Sequence, residues 1–301
     1  MKKKYKKIRK YAGLYIMLAI PFLWYIIFKY IPMYGLQIAF KRFNPTLGIT
    51  KSPWVGLTYF KQFFDSYYFG NILWNTVSLS LFTMLVGFPM PIILALLINE
   101  IKNTKFQKVV QNITYMPNFL SVVVIVSMLT LFSNRDYGLF NKIGALFGAA
   151  PVDFMAKPAW FQPLYVFSNV WQYMGFNAII YIAALASVDQ ELYEAASIDG
   201  ASRMQKIIHI SLPCIMGTII IMFIMRIGSL MSVGFEKVYL MQNSVTLSAS
   251  EVISTFIYKN GIQKGQFSYS TAVGLFNSVI NFTLLMLANF VSKKATKTSL
   301  W

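Results

Sequence analysis

Four acidic side chains, Asp189, Glu191, Glu194 and Asp199, fall close together in a chain that has only ten Asp and Glu in all. They stand in the run SVDQELYEAASIDGASRMQKIIHISLP, from Ser187 to Pro213, ahead of Arg203 and Lys206. The chemistry this spacing suits is docking. Asp189 reads as a helix N-cap, and Glu191 and Glu194 sit in the first turns, where the helix dipole favours them. Gly200 then permits a turn, and a second short helix leads to Pro213. A solvated charged loop is the plain alternative. A second group, Asn169, Gln172, Tyr173 and Phe176, lies at i, i+3, i+4 and i+7, which puts amides and aromatic rings on one helical face. Amides bond sugar hydroxyls and ring faces stack on pyranoses, so this pair of chemistries suits carbohydrate without any charge; interhelical bonding is the rival. Arg226 stands alone in an apolar run, with Ser229 and Val233 on its face. An arginine there costs about 2.5–3.5 kcal/mol on insertion scales, so it must face a pathway or partner helix, or snorkel to an interface.

Other chemistry is missing from the sequence. Neither a Ser/His/Asp, nor a paired-carboxylate, nor an HExxH arrangement occurs, which argues against an enzyme. No Gly-Lys pair exists, so there is no phosphate loop and no nucleotide hydrolysis by this chain alone. The one cysteine, Cys214, and the one histidine, His209, exclude a disulfide framework and the usual zinc and haem sites. No cofactor is therefore expected in this chain.

The elements that position these groups are membrane spans. Of 301 residues, 56% are hydrophobic and only 12% charged, half the charge of a soluble domain. Six apolar runs reach the roughly 20 residues that cross a bilayer: about 12–32, 72–98, 109–132, 161–187, 211–232 and 268–291. They read as helices, because no barrel-like alternation is present. Pro21, Pro89, Pro91 and Pro117 fall inside them, and TYMPNFLS interrupts the third. No Asp or Glu lies in a span interior, which removes the usual coupling group of proton- or sodium-driven transport.

The formal net charge of +17 is a topology signal rather than a nucleic-acid footprint, since no basic stripe on a soluble surface is present. With both termini inside, Lys2, Lys3, Lys4, Lys6, Lys7, Arg9, Lys10, Lys102, Lys105, Lys108, Arg203, Lys206, Lys293, Lys294 and Lys297 are inner. Lys41, Arg42, Lys51, Lys61, Arg135, Lys142, Lys157, Lys237, Lys259 and Lys264 fall in the longer outer loops, a density lower by roughly threefold. The start, MKKKYKKIRKYA, leads into an uncleaved first helix. The expectation is a single transmembrane domain over 1–301, both termini inside, multi-pass in a bacterial cytoplasmic membrane.

The run Glu194, Ala195, Ala196, then Asp199, Gly200, Ala201, then Leu212, Pro213 resembles the EAA motif of ABC importer permeases, EAAxxDGA followed by LP. A further proline common after the LP in that family is replaced near Gly217. The resemblance implies an all-α, six-helix type I importer (MetI-like) fold. It also implies that Glu194 and Gly200 are central to contact with a cytoplasmic ATPase, that Ala195, Ala196 and Ala201 allow close packing, and that Asp199 belongs to the same ATPase-coupling set. The stretch from Ile31 to Phe64 is similar to that following the first helix of oligosaccharide permeases. LFSNRDYGLFNKIGALFG and KPAWFQP are similar to an outer loop of maltose-importer permeases, and Asn169 and Trp171 resemble, at the same spacing from the EAA glutamate, two residues lining the sugar site there. The implied function is a non-catalytic permease subunit of an ATP-driven oligosaccharide importer. Its implied partners are a second related permease, two cytoplasmic ABC ATPase subunits that bind ATP and Mg, and a lipid-anchored extracellular solute-binding protein. Membrane lipid surrounds the chain and no nucleic acid is involved. Asn169, Trp171, Gln172, Tyr173, Phe176, Arg226 and Ser229 are the candidate pathway residues. An importer for peptides or amino acids, and a membrane regulator or channel, are the alternatives.

Overall fold

The computed structural model describes residues 10–296 and 298–300. The basic residues Lys2, Lys3, Lys4, Lys6, Lys7, Arg9 and Lys297 of the orientation argument lie outside the described residues. Among the described residues the chain is all-helical, and its only extended pairing is one isolated bridge between Lys41 and Trp54. Three helices are long and apolar enough to cross a membrane: α1 (Ala12–Phe40), α2 (Phe69–Asn99) and α10 (Phe267–Thr296). Three further pairs pass the same test when joined across a bend, which gives up to six spans. These are α3 (Thr104–Phe119) with α4 (Val122–Ser133), α5 (Pro158–Ala186) with α6 (Gln190–Ile198), and α7 (Arg203–Cys214) with α8 (Met216–Gly228). The sharpest bend has a local cause. Pro117 sits at the 98° junction of α3 and α4, where a proline removes a helical hydrogen bond, and Ser121 recaps the chain by accepting from the Val124 N–H.

The chain divides into two compact units. The first holds α1, the segment up to Ser66 and 257–276. Helix continues past the expected end of the first span as far as Phe40. Phe40 stacks on Trp54 at 5.6 Å, and Lys41 Nζ donates to the Ile49 carbonyl at 2.8 Å. Ser268 Oγ donates to the Lys41 carbonyl at 2.6 Å and accepts from the Phe43 N–H at 3.0 Å. Phe63, buried, meets Tyr269 and Phe276 edge-on. The stretch that resembles oligosaccharide permeases is thus an ordered structure and not an open loop.

The second unit spans 67–256 and 277–301 and has α5 at its centre. Leu164, Tyr165 and Val166 pack with Leu79, Ile125 and Leu129 in one core cluster, and Ala178, Tyr181 and Leu185 pack with Ile92, Ala95 and Ile215 in another. Between the clusters Gly175 brings α5 against α3: a Cβ there would lie 2.1 Å from the Thr114 carbonyl oxygen. Backbone cannot yield as a flexible side chain does. Gly175→Ala is therefore expected to destabilise the protein by about 1–3 kcal/mol, seen as a lower melting temperature of the detergent-solubilised protein. An unchanged melting temperature would mean that α3 and α5 are free to separate.

Candidate functional site

Helix α5 leads directly into the acidic segment. Asp189 Oδ1 accepts from the Glu191 N–H at 3.0 Å and starts α6, as the residue types predict. At the other end Gly200 adopts φ +74°, the left-handed conformation that glycine takes without a Cβ penalty. The Ala201 N–H then reaches the Ala196 carbonyl at 2.9 Å and the Gly200 N–H the Ser197 carbonyl at 3.2 Å, the two bonds of a Schellman cap. Two residues later a capping box opens α7: Ser202 Oγ accepts from the Gln205 N–H at 3.3 Å, and Gln205 Oε1 from the Ser202 N–H at 2.7 Å. Lys206 Nζ donates to Ser197 Oγ at 2.6 Å, and Tyr193 and Ser211 join hydroxyls at 2.9 Å. The two helices are thereby locked as a unit. Glu194, Ala195, Asp199 and Gly200 are exposed on it, Ala196 and Ala201 half-buried, and Ile198 next to them is 88% exposed. An apolar side chain so open beside exposed acids is a surface made to be covered.

Within the same unit α2, α5, α8 and the segment after α8 enclose a cavity of about 630 Å³. Asn169, Tyr173, Arg226 and Ser229, four of the seven residues singled out from sequence, line it together. Helix α8 stops at Gly228, so Ser229 and Val233 reach the cavity from irregular backbone rather than from the helical face that the apolar run suggested. Ser229 Oγ donates to the Arg226 carbonyl at 3.2 Å and makes a weaker contact with that of Met225 at 3.4 Å. The other three lie elsewhere. Gln172 is buried behind the wall, its Nε2 donating to the Leu120 carbonyl at 3.2 Å. Trp171 lines a separate, apolar cavity of about 540 Å³ with Phe132, Phe167 and Trp160. Phe176 is 46% exposed and is not among the residues lining either space.

Sequence reasoning missed Asn177 and Tyr181, which continue Asn169 and Tyr173 along α5 at steps of four. That ridge, not the mixed three-and-four stripe, faces the cavity. From α2, Ser80 also lines it, with a buried Oγ that has no hydrogen-bond partner among the described residues. The largest surprise is Lys237, on the short helix α9 (Phe235–Met241). It is only 4% exposed, its Nζ donates to Gln172 Oε1 at 3.3 Å, and it lies 5.8 Å from the Tyr165 ring centroid. Burial pushes its ammonium from the ordinary lysine value down to about 8. No group of three or more His, Cys, Asp or Glu side chains that could hold a metal ion is gathered among the described residues. What the cavity offers is amides, phenols, hydroxyls and two cations: a binding surface.

Residues 87–297 match the family of binding-protein-dependent transport system inner membrane components. Protein LplB of Bacillus subtilis is 43% identical over 96% of this chain and 91% of its own length. The polygalacturonan/rhamnogalacturonan transport system permease protein YteP of the same organism is 42% identical over 93% of this chain and 88% of its own. A crystal structure of a bacterial ABC transporter involved in the import of the acidic polysaccharide alginate contains a chain that superposes with a TM-score of 0.89 at 39% identity, covering 98% of this chain and 99% of that one. A second structure has that alginate transporter in complex with an alginate pentasaccharide-bound periplasmic protein, with a TM-score of 0.90 and the same identity and coverage.

Proposed function

This chain belongs to the family of binding-protein-dependent transport system inner membrane components, and from that premise we propose how it works. It is a membrane-embedded, non-catalytic permease subunit of an ABC importer whose cargo is an oligosaccharide. In our reading the whole chain acts as one transmembrane domain in a bacterial cytoplasmic membrane, with six spans and both termini inside. It pairs with a second related permease to enclose the pathway. Two cytoplasmic ATPase subunits bind ATP and Mg beneath the pair, and a lipid-anchored solute-binding protein delivers the glycan from outside.

The observation that carries this reading is the capped and cross-bonded helix pair α6–α7, which presents Glu194, Ala195, Asp199 and Gly200 at the end of the helix whose other residues line the cavity. A lever transmits force only if it is stiff, and both its ends and its turn are hydrogen-bonded. Nucleotide-driven closure of the ATPases would push this pair, and α5 would carry the displacement to Asn169 and Tyr173. The pathway then alternates between outward- and inward-open states, biased by what binds at either end. In the cavity, Asn169 bonds sugar hydroxyls, Tyr173 stacks on a pyranose face, and Arg226 holds an acidic or hydroxyl-rich part of the glycan, with Ser229 beside it. Gln172 supports the wall from behind. Trp171 and Phe176, on other faces of α5, serve the pathway only where the partner permease completes it.

Affinity purification of the tagged chain from native membranes, with mass spectrometry of what accompanies it, tests the assembly. The expected result is one or two ABC ATPase polypeptides and a second permease in stoichiometric amount. Recovery of the chain alone would contradict the reading.

A further inference from the structure

Lys237 is a buried cation whose partners among the described residues are neutral: Gln172 Oε1 at 3.3 Å and the Tyr165 ring. Lysine is almost never fully buried unless paired with an acid, because the desolvated charge must be offset. Here it makes no ion pair with any described residue. Arg226, on a second wall of the same cavity, makes none either. The one carboxylate among the lining residues is Glu236, which is exposed and is ion-paired with neither cation. An ammonium has three donors; Gln172 takes one. The cavity also holds the unpartnered Ser80 hydroxyl and the Asn169 and Asn177 amides. The site thus has unmatched positive charge, free donors, and room within the range of ordinary ligand pockets.

We infer that Lys237 is a specificity-determining residue of the pathway: together with Arg226 it selects sugars that carry a carboxylate, so the transported class is uronate-containing oligosaccharides. The inference rests on reading the cavity as the pathway. A uronate brings an anion to two lining cations that have no ion-pair partner among the described residues, and forms a charge-assisted hydrogen bond with Nζ, stronger than any bond to a neutral hydroxyl. Gln172, fixed to the Leu120 carbonyl behind the wall, acts as a positioning residue that fixes where the ammonium sits.

The test uses the purified transport complex in nanodiscs without its binding protein, so that only the membrane site is read. The probes are labelled tetragalacturonate and its methyl ester, which keeps the sugar and removes the charge. At pH 7 the acid is expected to bind at least about tenfold more tightly than the ester. Lys237→Met lowers this preference by about tenfold and Lys237→Arg keeps it. A pH profile separates selection from mere packing. With a pKa of about 8, affinity for the acid falls roughly tenfold between pH 7 and 9 in the native complex and stays flat in Lys237→Arg. The other titratable or charged groups lining the cavity, Tyr165, Tyr173, Tyr181, Arg226 and Glu236, are common to both proteins. Should Lys237→Met fail to assemble, the native and Lys237→Arg profiles decide alone. Equal binding of acid and ester in the native complex, or a pH profile unchanged by Lys237→Arg, overturns the inference while leaving the oligosaccharide pathway standing. Binding of neither probe overturns both.

Discussion

Gly200→Asn is expected to cut ATP-driven uptake at least about tenfold and to weaken retention of the ATPase subunits, while the protein itself stays folded. The choice of asparagine separates two effects. Gly200 has φ +74°, where an ordinary side chain is strained by about 1–2 kcal/mol, but asparagine visits this region readily. An added Cβ would meet nothing within 4 Å inside the chain. The Schellman bonds of Ala201 and Gly200 therefore survive, and what changes is the surface that α6–α7 offers. A small addition matters there only if another protein packs against it. Gly200→Val carries backbone strain as well and should be worse. Uptake and ATPase retention that match the native complex in Gly200→Asn would show that the turn is not buried in an interface. Glu194→Gln, which keeps shape and removes charge on the exposed face, should fall between native and Gly200→Asn in the same assay.

Arg226→Gln is expected to lower uptake of an acidic oligosaccharide by roughly 10- to 100-fold, the equivalent of losing one hydrogen bond to a charged group at about 1.5–3 kcal/mol. The guanidinium makes no ion pair with any described residue, so its removal breaks no such pair among them and the loss falls on the ligand. Glutamine retains donors, and Arg226→Lys retains charge without the planar fork, so the lysine variant should lie between the two. Ser229→Ala should change uptake little, because its hydroxyl is already directed at the Arg226 and Met225 carbonyls. If Arg226 only snorkels to an interface, uptake in Arg226→Gln equals that of the native complex.

How much of this was legible in the sequence follows from how local each signal is. Asp189 as a cap and Gly200 as a turn are decided by neighbours a few residues away, and the structure has both. The spans follow from length and apolarity, although Pro117 turned one into two helices at 98°, an angle no apolar count contains. The cavity was half legible. Asn169, Tyr173 and Arg226 meet there, but which of α5's faces is wet depends on how α2 and α8 cross it, so Asn177 and Tyr181 were not read from the stripe. Gln172 fits the periodicity yet is turned to the Leu120 carbonyl and to Lys237, a residue 65 positions away. Lys237 itself was counted among outer-loop charges, because sequence alone places a lysine in water. Only the return of α9 against α5 shows that it is buried.

The most direct test of the central claim is uptake by proteoliposomes holding the chain with its permease and ATPase partners, supplied with the solute-binding protein and a labelled oligosaccharide. The account predicts concentrative accumulation that requires both ATP and the binding protein and that is lost in Gly200→Asn. Sugar movement that only equilibrates across the membrane, or that proceeds without ATP, would contradict it.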